Sequence, residues 1–191
     1  YLNDTLDGLQ YYFLKDSTKI EHKYHKGVFD KRLKMFWPNG KLKIETHLDQ
    51  PFTNNSWAYI SDGYDINNFP LRFENGIGGN PFYIQGAYNT WDANGEKSID
   101  ATFKKGKLNG EFKLLYGNGK LKTSGFKQDT LQLVEWKEYD KDGKLIGQAS
   151  FDDMGKLKYT DGIVIDYFKN FSIKSKKTYV KGIQEGEANY Y

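Results

Sequence analysis

Residues 36–46 read FWPNGKLKIET, and residues 115–123 read LYGNGKLKT. In both stretches an aromatic residue, Trp37 or Tyr116, precedes an Asn-Gly pair and a strand-forming run that begins with Lys-Leu-Lys. Similarity at this level within one chain is typical of repeat proteins, in which each unit buries its apolar face against the next. The two stretches therefore predict a fold built from repeated hairpins.

The Asn-Gly pairs predict where the chain turns. Asn and Gly both tolerate positive φ, which a two-residue type I′ hairpin turn requires. If Asn39-Gly40 and Asn118-Gly119 form such turns, the flanking apolar residues face each other on one side of each hairpin. The predicted pairs are Tyr116 with Leu121, Leu114 with Thr123, Phe112 with Gly125, Trp37 with Leu42, Met35 with Ile44 and Leu33 with Thr46.

Two further turns contain one more residue. Residues 91–95 read WDANG and residues 139–143 read YDKDG. A three-residue loop with Gly in the left-handed conformation absorbs the extra residue as a bulge, so Tyr139 still faces Leu145. The residues assigned to the repeat framework are Trp37, Asn39, Gly40, Trp91, Asn94, Gly95, Tyr116, Asn118, Gly119, Tyr139, Asp142, Gly143 and Tyr167.

The composition agrees with a sheet protein. The 191 residues include 15 Tyr, 13 Phe and 20 Gly but only 4 Pro, and aromatic residues favour strands. A mean hydropathy of -0.78 indicates strands with one polar face. We predict an all-β fold, an elongated antiparallel β-meander of hairpins that recur every 23–28 residues, with one domain at 1–191 and an irregular segment at 51–81.

The repeated unit, Tyr/Trp-x-Asn-Gly-Lys-Leu followed by an apolar strand and a Lys-Gly or Asn-Gly turn, resembles the bacterial variant of the MORN repeat. Such turns occur at Lys105-Gly106, Asn109-Gly110 and Lys181-Gly182. The similarity covers most of the chain and is strongest from Trp91 to Gly147. Chains of this kind are often grouped as YwqK-family antitoxins. The resemblance implies a non-enzymatic β-meander, without a cofactor, that serves as a binding scaffold.

Several kinds of chemistry find no support in the sequence. A net charge of +3 gives no reason to expect a nucleic acid partner. Cys is absent, which excludes disulfides and thiolate chemistry. His22 and His25 are three residues apart on a predicted strand and point to opposite faces, so we expect no metal site. We predict no catalytic residues.

Two groups of residues are candidates for binding. Aromatic residues concentrate in the irregular segment, where they form either a local core or a recognition patch. Residues 166–181 carry five Lys and one Asp; these lysines either solvate an edge strand or face an acidic partner or an anionic lipid surface. The candidate residues are Trp57, Tyr59, Tyr64, Phe69, Phe73, Lys169, Lys174, Lys176, Lys177 and Lys181.

The predicted function is binding to another protein, and two versions stay open: an accessory subunit of a larger, cell-envelope assembly, or an antitoxin or immunity-like protein bound to a toxin. The alternative is an envelope protein that binds carbohydrate or another surface ligand through exposed aromatic residues. Tyr1 in place of Met and the absence of Cys favour a processed envelope protein, periplasmic or surface-exposed, over a cytoplasmic one. Membrane association through a removed lipid anchor is then one expectation.

Overall fold

The structure is a computed structural model that describes residues 5–13, 16–49, 72–73, 82–128, 131–167, 173–186 and 188–191. These residues contain no helix that could span a membrane. Their regular elements are all β-strands, which pair antiparallel, so the predicted all-β antiparallel meander is confirmed. The strands are β1 Gly8–Phe13, β2 Lys19–His25, β3 Val28–Phe36, β4 Leu42–Leu48, β5 Arg72–Phe73, β6 Phe82–Trp91, β7 Lys97–Lys104, β8 Lys107–Leu115, β9 Leu121–Gln128, β10 Leu131–Tyr139, β11 Leu145–Phe151, β12 Leu157–Tyr167, β13 Ile173–Val180, β14 Ile183–Gln184 and β15 Asn189–Tyr190.

The chain divides into two compact units. The first unit comprises Tyr1–Lys97 and Thr102–Lys107, and the second comprises Ser98–Ala101 and Leu108–Tyr191. Strands neighbour one another in chain order in both units: β1-β2-β3-β4-β6 in the first and β8 to β14 in the second, with β5 beside β6 and β15 beside β13. The assignment of residues 1–191 to one domain stays a prediction.

The predicted hairpin registers are confirmed except next to the turns. Leu114 pairs with Thr123 and Phe112 with Gly125, while Tyr139 pairs with Leu145. Met35 likewise pairs with Ile44 and Leu33 with Thr46. The pairs of Tyr116 with Leu121 and of Trp37 with Leu42 were wrong, because Leu115 and Phe36 take those places.

The type I′ turn was also wrong at both Asn-Gly sites. Only the Gly of each pair has a positive φ, at 82° for Gly40 and 75° for Gly119. In the second hairpin the Tyr116 N–H donates to the Lys120 carbonyl (2.8 Å) and the Gly119 N–H donates to the Tyr116 carbonyl (2.9 Å). Tyr116 is therefore the first residue of a five-residue turn that closes with a Gly bulge.

In the part of the chain that the structure describes, the same turn occurs five times, so the extra residue predicted in two of the turns was also wrong. The first residues of the five turns are Trp37, Asp92, Tyr116, Asp140 and Asp152. Where Asp comes first, its carboxylate accepts two backbone N–H groups, as Asp92 does from Asn94 and Glu96. Where an aromatic residue comes first, the Asn at the third place accepts one instead. The five loops are equal in length, and only the place of the aromatic residue differs.

Each aromatic-first turn binds the backbone of an Asp-first turn in its own unit. In both cases the side chains at the first, third and fifth places donate to three carbonyl groups, one just before the neighbouring turn and two within it. The bonds are Trp37 Nε1 to Trp91 O (3.0 Å), Asn39 Nδ2 to Ala93 O (2.8 Å) and Lys41 Nζ to Asn94 O (2.6 Å) in the first unit, and Tyr116 OH to Tyr139 O (2.8 Å), Asn118 Nδ2 to Lys141 O (3.0 Å) and Lys120 Nζ to Asp142 O (2.9 Å) in the second.

This docking explains why the chain contains nearly the same stretch twice. The bonded aromatic residues are 54 positions apart in the first unit and 23 apart in the second. Subtracting 23 from 54 leaves 31 residues, the length of the segment 51–81. That segment is therefore an insertion into an otherwise regular repeat.

Lys-Gly pairs form a second kind of turn. Both residues have positive φ at Lys26-Gly27, Lys105-Gly106 and Lys181-Gly182, which is the type I′ geometry. Each of these turns is held by an earlier strand, where an Asp or Gln side chain accepts the Lys N–H and the preceding carbonyl accepts the Gly N–H. The accepting side chains are Asp7, Gln85 and Asp161. A positive-φ glycine follows each of them: Gly8, Gly86 and Gly162.

We expect Gly119→Val to destabilise the second unit by about 1–3 kcal/mol, because a β-branched residue is strained at positive φ. Gly119→Asn is the matched control, since Asn tolerates this conformation. Urea denaturation of both variants measures the difference. Equal losses of stability would contradict the turn geometry described above.

Candidate binding surfaces

The structure describes only some of the residues predicted to bind. Phe73 lies in β5, where it pairs with Phe82, and only its backbone is described. The predicted binding residues Trp57, Tyr59, Tyr64, Phe69 and Lys169 lie outside the described residues.

The described lysines of the basic run lie in different surroundings. Since side chains alternate along a strand, Lys174 and Lys176 share one face of β13 and Lys177 lies on the other. The Lys177 ammonium lies 5.5 Å from the ring centroid of Tyr190. Lys181 belongs to a turn, and its backbone N–H donates to Asp161. The run is therefore not one continuous lysine surface.

An exposed apolar patch lies on β10, β12 and the turn between β11 and β12. We call it the β10–β12 patch; its residues are Leu131, Val134, Met154 and Leu157, all exposed. Gly155 in the turn packs against the Leu131 side chain. Val134 pairs with Phe151, which pairs in turn with Leu157. The patch is therefore continuous across neighbouring strands, whereas single exposed apolar residues are common on any protein.

Val134 has a strained backbone at the middle of this patch. Its φ is 61°, in the left-handed region that a β-branched residue occupies at a cost of about 1–3 kcal/mol. Corresponding places after three Lys-Gly turns also have positive φ; two of them hold glycine and one holds Lys, and the three residues are Lys31, Gly110 and Gly186. Val134 is the β-branched residue among these four places, and it is 63% exposed.

A buried carboxyl group lies on the same strand. Glu138 is 3% exposed, and its Oε2 accepts a hydrogen bond from the Thr123 hydroxyl at 2.7 Å. The Tyr167 hydroxyl is 2.8 Å from the Thr123 hydroxyl and 3.4 Å from Glu138 Oε2. Burial raises the pKa of Glu138 to about 8, although the nearby Lys122 opposes this shift. The side chain is therefore mostly protonated at neutral pH.

The curvature of the second unit brings these three residues together. Thr123 lies on β9 and Tyr167 on β12, three strands away. Neighbouring strands are about 4.8 Å apart, so a flat sheet would separate the two by roughly 14 Å. The face that carries Glu138 must therefore curl inwards, and Phe112, Trp136 and Tyr167 fill it.

Among the described residues, no cluster of three or more His or acidic side chains could hold a metal ion. His22 is buried, while His25 is exposed on the opposite face of β2. His22 packs against the rings of Tyr24 and Phe29, and burial lowers its pKa to about 4. It belongs to the core of the first unit.

Sequence reasoning missed both Val134 and Glu138. Glu138 lies two residues before its turn, at a place that holds Met35 and Leu114 before the aromatic-first turns and Thr90 and Ser150 before the other Asp-first turns. The available signal was a carboxyl group at a place that elsewhere holds an apolar residue or a hydroxyl group. For Val134 the sequence signal is weak, because Asp129-Thr130 stands where Lys-Gly precedes Gly110 and Gly186.

We expect Glu138 to make stability depend on pH. Because its pKa is raised to about 8 in the folded state and is near 4.3 when unfolded, the folded state holds the proton more tightly. The stability that Glu138 contributes is fully present below its unfolded pKa and is lost as pH rises through about 8. The free energy of unfolding falls over this range by at most about 1.4 kcal/mol per pH unit.

Glu138→Gln removes this titration while keeping the acceptor oxygen. Its free energy of unfolding should lack this decline between about pH 5 and 8. Glu135→Gln, at an exposed carboxylate on the same strand that pairs with Lys137, should keep the wild-type slope. Urea titrations across this range measure both, and parallel curves for wild type and Glu138→Gln would contradict the assignment.

We expect Val134→Gly to raise the free energy of unfolding by about 1 kcal/mol, because relief of backbone strain outweighs the added entropy of the unfolded chain. Leu131→Gly, on the same strand, should lower it. Thermal and urea denaturation test both variants. A loss of stability in Val134→Gly would show that the valine is not strained.

Comparisons with known proteins agree with this architecture. A sequence model described as a MORN repeat variant matches residues 30–50 and 132–153. Each match spans one hairpin and its five-residue turn, in the first and second unit respectively. No curated protein matches the chain.

One solved structure with some similarity is titled "Crystal structure of GtfA/B complex bound to UDP and GlcNAc". It is 14% identical, covers 62% of this chain and 28% of that chain, and has a TM-score of 0.27, so the likeness carries no argument. The family match and the repeated hairpins agree. Over these two hairpins the chain is similar to MORN repeat proteins, whose repeats generally serve as non-catalytic binding scaffolds.

Proposed function

We propose that this protein binds another protein through the β10–β12 patch. The observation that carries the proposal is Val134, which is exposed and strained at the centre of a continuous apolar surface. Backbone strain of this kind persists where a function requires the residue. Contact between Val134 and a partner protein would be such a function.

The composition of the patch fits a protein partner. It offers Met154 and three aliphatic side chains, and Met is enriched in protein interfaces. Lys156 and Lys158 are exposed next to it. A matching partner presents an apolar anchor for the patch and acidic side chains at its rim.

Within this function we propose two roles, an accessory subunit of a cell-envelope assembly or an antitoxin-like protein that occludes a toxin. Both need a rigid surface of about 800 Å² per partner, which stacked hairpins supply. A further contribution from the aromatic residues of segment 51–81 and from Lys169 stays a prediction. Lys174 and Lys176, which share a face of β13, are the described lysines suited to extend an acidic contact.

The carbohydrate alternative has one observation in its favour. Tyr11 and Phe13 are exposed on β1, as stacking on sugar rings would require. Their ring planes, however, are 79° apart, so they do not form the flat platform on which successive sugar rings stack. Protein binding is therefore the better supported function.

The test is affinity purification of the tagged full-length protein from soluble and membrane fractions of its native cell. Wild type is compared with Val134→Gly/Met154→Ser, which alters the patch and includes one change expected to stabilise the fold. Val28→Ser, at an exposed apolar residue of the first unit, is the matched control. We expect the patch variant to recover at least about tenfold less partner.

The identity of the partner separates the two roles. A stoichiometric envelope complex from the membrane fraction indicates an accessory subunit, and a single small soluble partner indicates an antitoxin. Equal recovery by all three proteins would overturn the β10–β12 patch as the binding surface.

A further inference from the structure

Strand β1 lies at the end of the strand order in the first unit. Within the described part of the chain, no strand pairs with the edge of β1 that faces away from β2. Its residues Gly8–Phe13 read GLQYYF, without a charge or a proline. Natural edge strands usually carry Lys, Pro or a covering segment, since a bare edge is a template for another strand. β1 lacks the two protective residue types.

Equivalent strands of the repeat show how the edge of β1 that faces away from β2 is paired elsewhere in the chain. β1, β6 and β12 are equivalent strands, because each contains a positive-φ glycine directly after the side chain that holds a Lys-Gly turn: Gly8, Gly86 and Gly162. The outer edge of β6 pairs antiparallel with β4, and that of β12 pairs antiparallel with β11. The fold therefore fills this position twice with an antiparallel strand.

Side chains on one face of β1 add an apolar surface to the open edge. Leu9, Tyr11 and Phe13 alternate along the strand and are 59–65% exposed. The rings of Tyr11 and Phe13 are in edge contact at 6.2 Å, and the Lys19 ammonium lies 5.9 Å from the Tyr11 ring. These neighbours hold the aromatic side chains in place before any partner arrives.

We propose that β1 pairs antiparallel with β1 of a second copy of this chain, forming a two-fold symmetric dimer whose sheets join across the shared edge. Tyr11 lies opposite its own copy, and Leu9 lies opposite Phe13 of the partner subunit. An identical strand fits for two reasons. It is antiparallel when related by a two-fold axis, and an uncharged strand pairs with itself without placing like charges opposite each other.

Disulfide trapping tests the register directly, because the chain contains no Cys. In Tyr11→Cys the two thiols face each other with Cβ atoms about 4.5–5.5 Å apart, close to the range a disulfide needs. Mild oxidation should therefore yield a covalent dimer. In the control Gln10→Cys the two thiols are offset by two residues along the strands, beyond the reach of a disulfide, and the chain should stay monomeric on a non-reducing gel.

Sedimentation velocity on the unmodified full-length protein tests the dimer itself. Wild type should sediment as a dimer at high concentration, and Tyr11→Lys should raise the dimer dissociation constant by at least about tenfold, since it places two ammonium groups opposite each other. Val28→Lys, at an exposed apolar residue outside β1, should leave it unchanged. Wild-type monomer at all concentrations would overturn the proposal, and so would equal trapping of Tyr11→Cys and Gln10→Cys. Disulfide trapping and sedimentation velocity do not involve the β10–β12 patch, so they test the dimer independently of the proposed partner binding.

Discussion

The structure depends on hydrogen bonds from the side chains of one turn to the backbone carbonyl groups of another. A single hairpin is marginal in water and cannot bury its apolar face alone. The aromatic, Asn and Lys side chains of the turn beginning at Tyr116 satisfy three carbonyl groups at the neighbouring turn, those of Tyr139, Lys141 and Asp142. The same three bonds in the first unit bridge an insertion of the length of segment 51–81. The docking therefore fixes neighbouring hairpins in register whatever the length of chain between them.

Much of this fold could be predicted from the sequence, because alternation and turn residues are local properties. The pairs of Leu114 with Thr123 and of Met35 with Ile44 follow from counting outwards from Asn-Gly. The turn type could not be obtained in this way, since Gly at positive φ suits both a type I′ turn and a type I turn with a bulge. The Tyr116 hydroxyl also donates to the carbonyl group of Tyr139, 23 residues away. Counting residues within one hairpin cannot predict that bond.

The candidate sites were harder to predict, for two physical reasons. The polar cluster joins Thr123 on β9 to Tyr167 on β12, and such a contact requires a sheet curvature that periodicity does not specify. The strain at Val134 is a property of its φ, and its sequence neighbours look like an ordinary strand. Comparing equivalent repeat positions would have marked Glu138 as the carboxyl group and Val134 as the β-branched residue among their equivalents. The residues of segment 51–81 lie mostly outside the described part of the chain, so their role stays a prediction.

Both departures from the repeat pattern lie on β10, four residues apart, and each lowers the stability of the second unit at neutral pH. Folding at neutral pH has to protonate Glu138, which is ionised in the unfolded chain, and a β-branched residue at positive φ costs backbone energy. Other strands of this chain show residues that avoid each cost, namely Leu114 at the Glu138 position and Gly110 at the Val134 position. Natural sequences depart from local consistency mainly at functional sites. Both costs lie on the strand that carries the exposed patch, in keeping with the binding role proposed for β10.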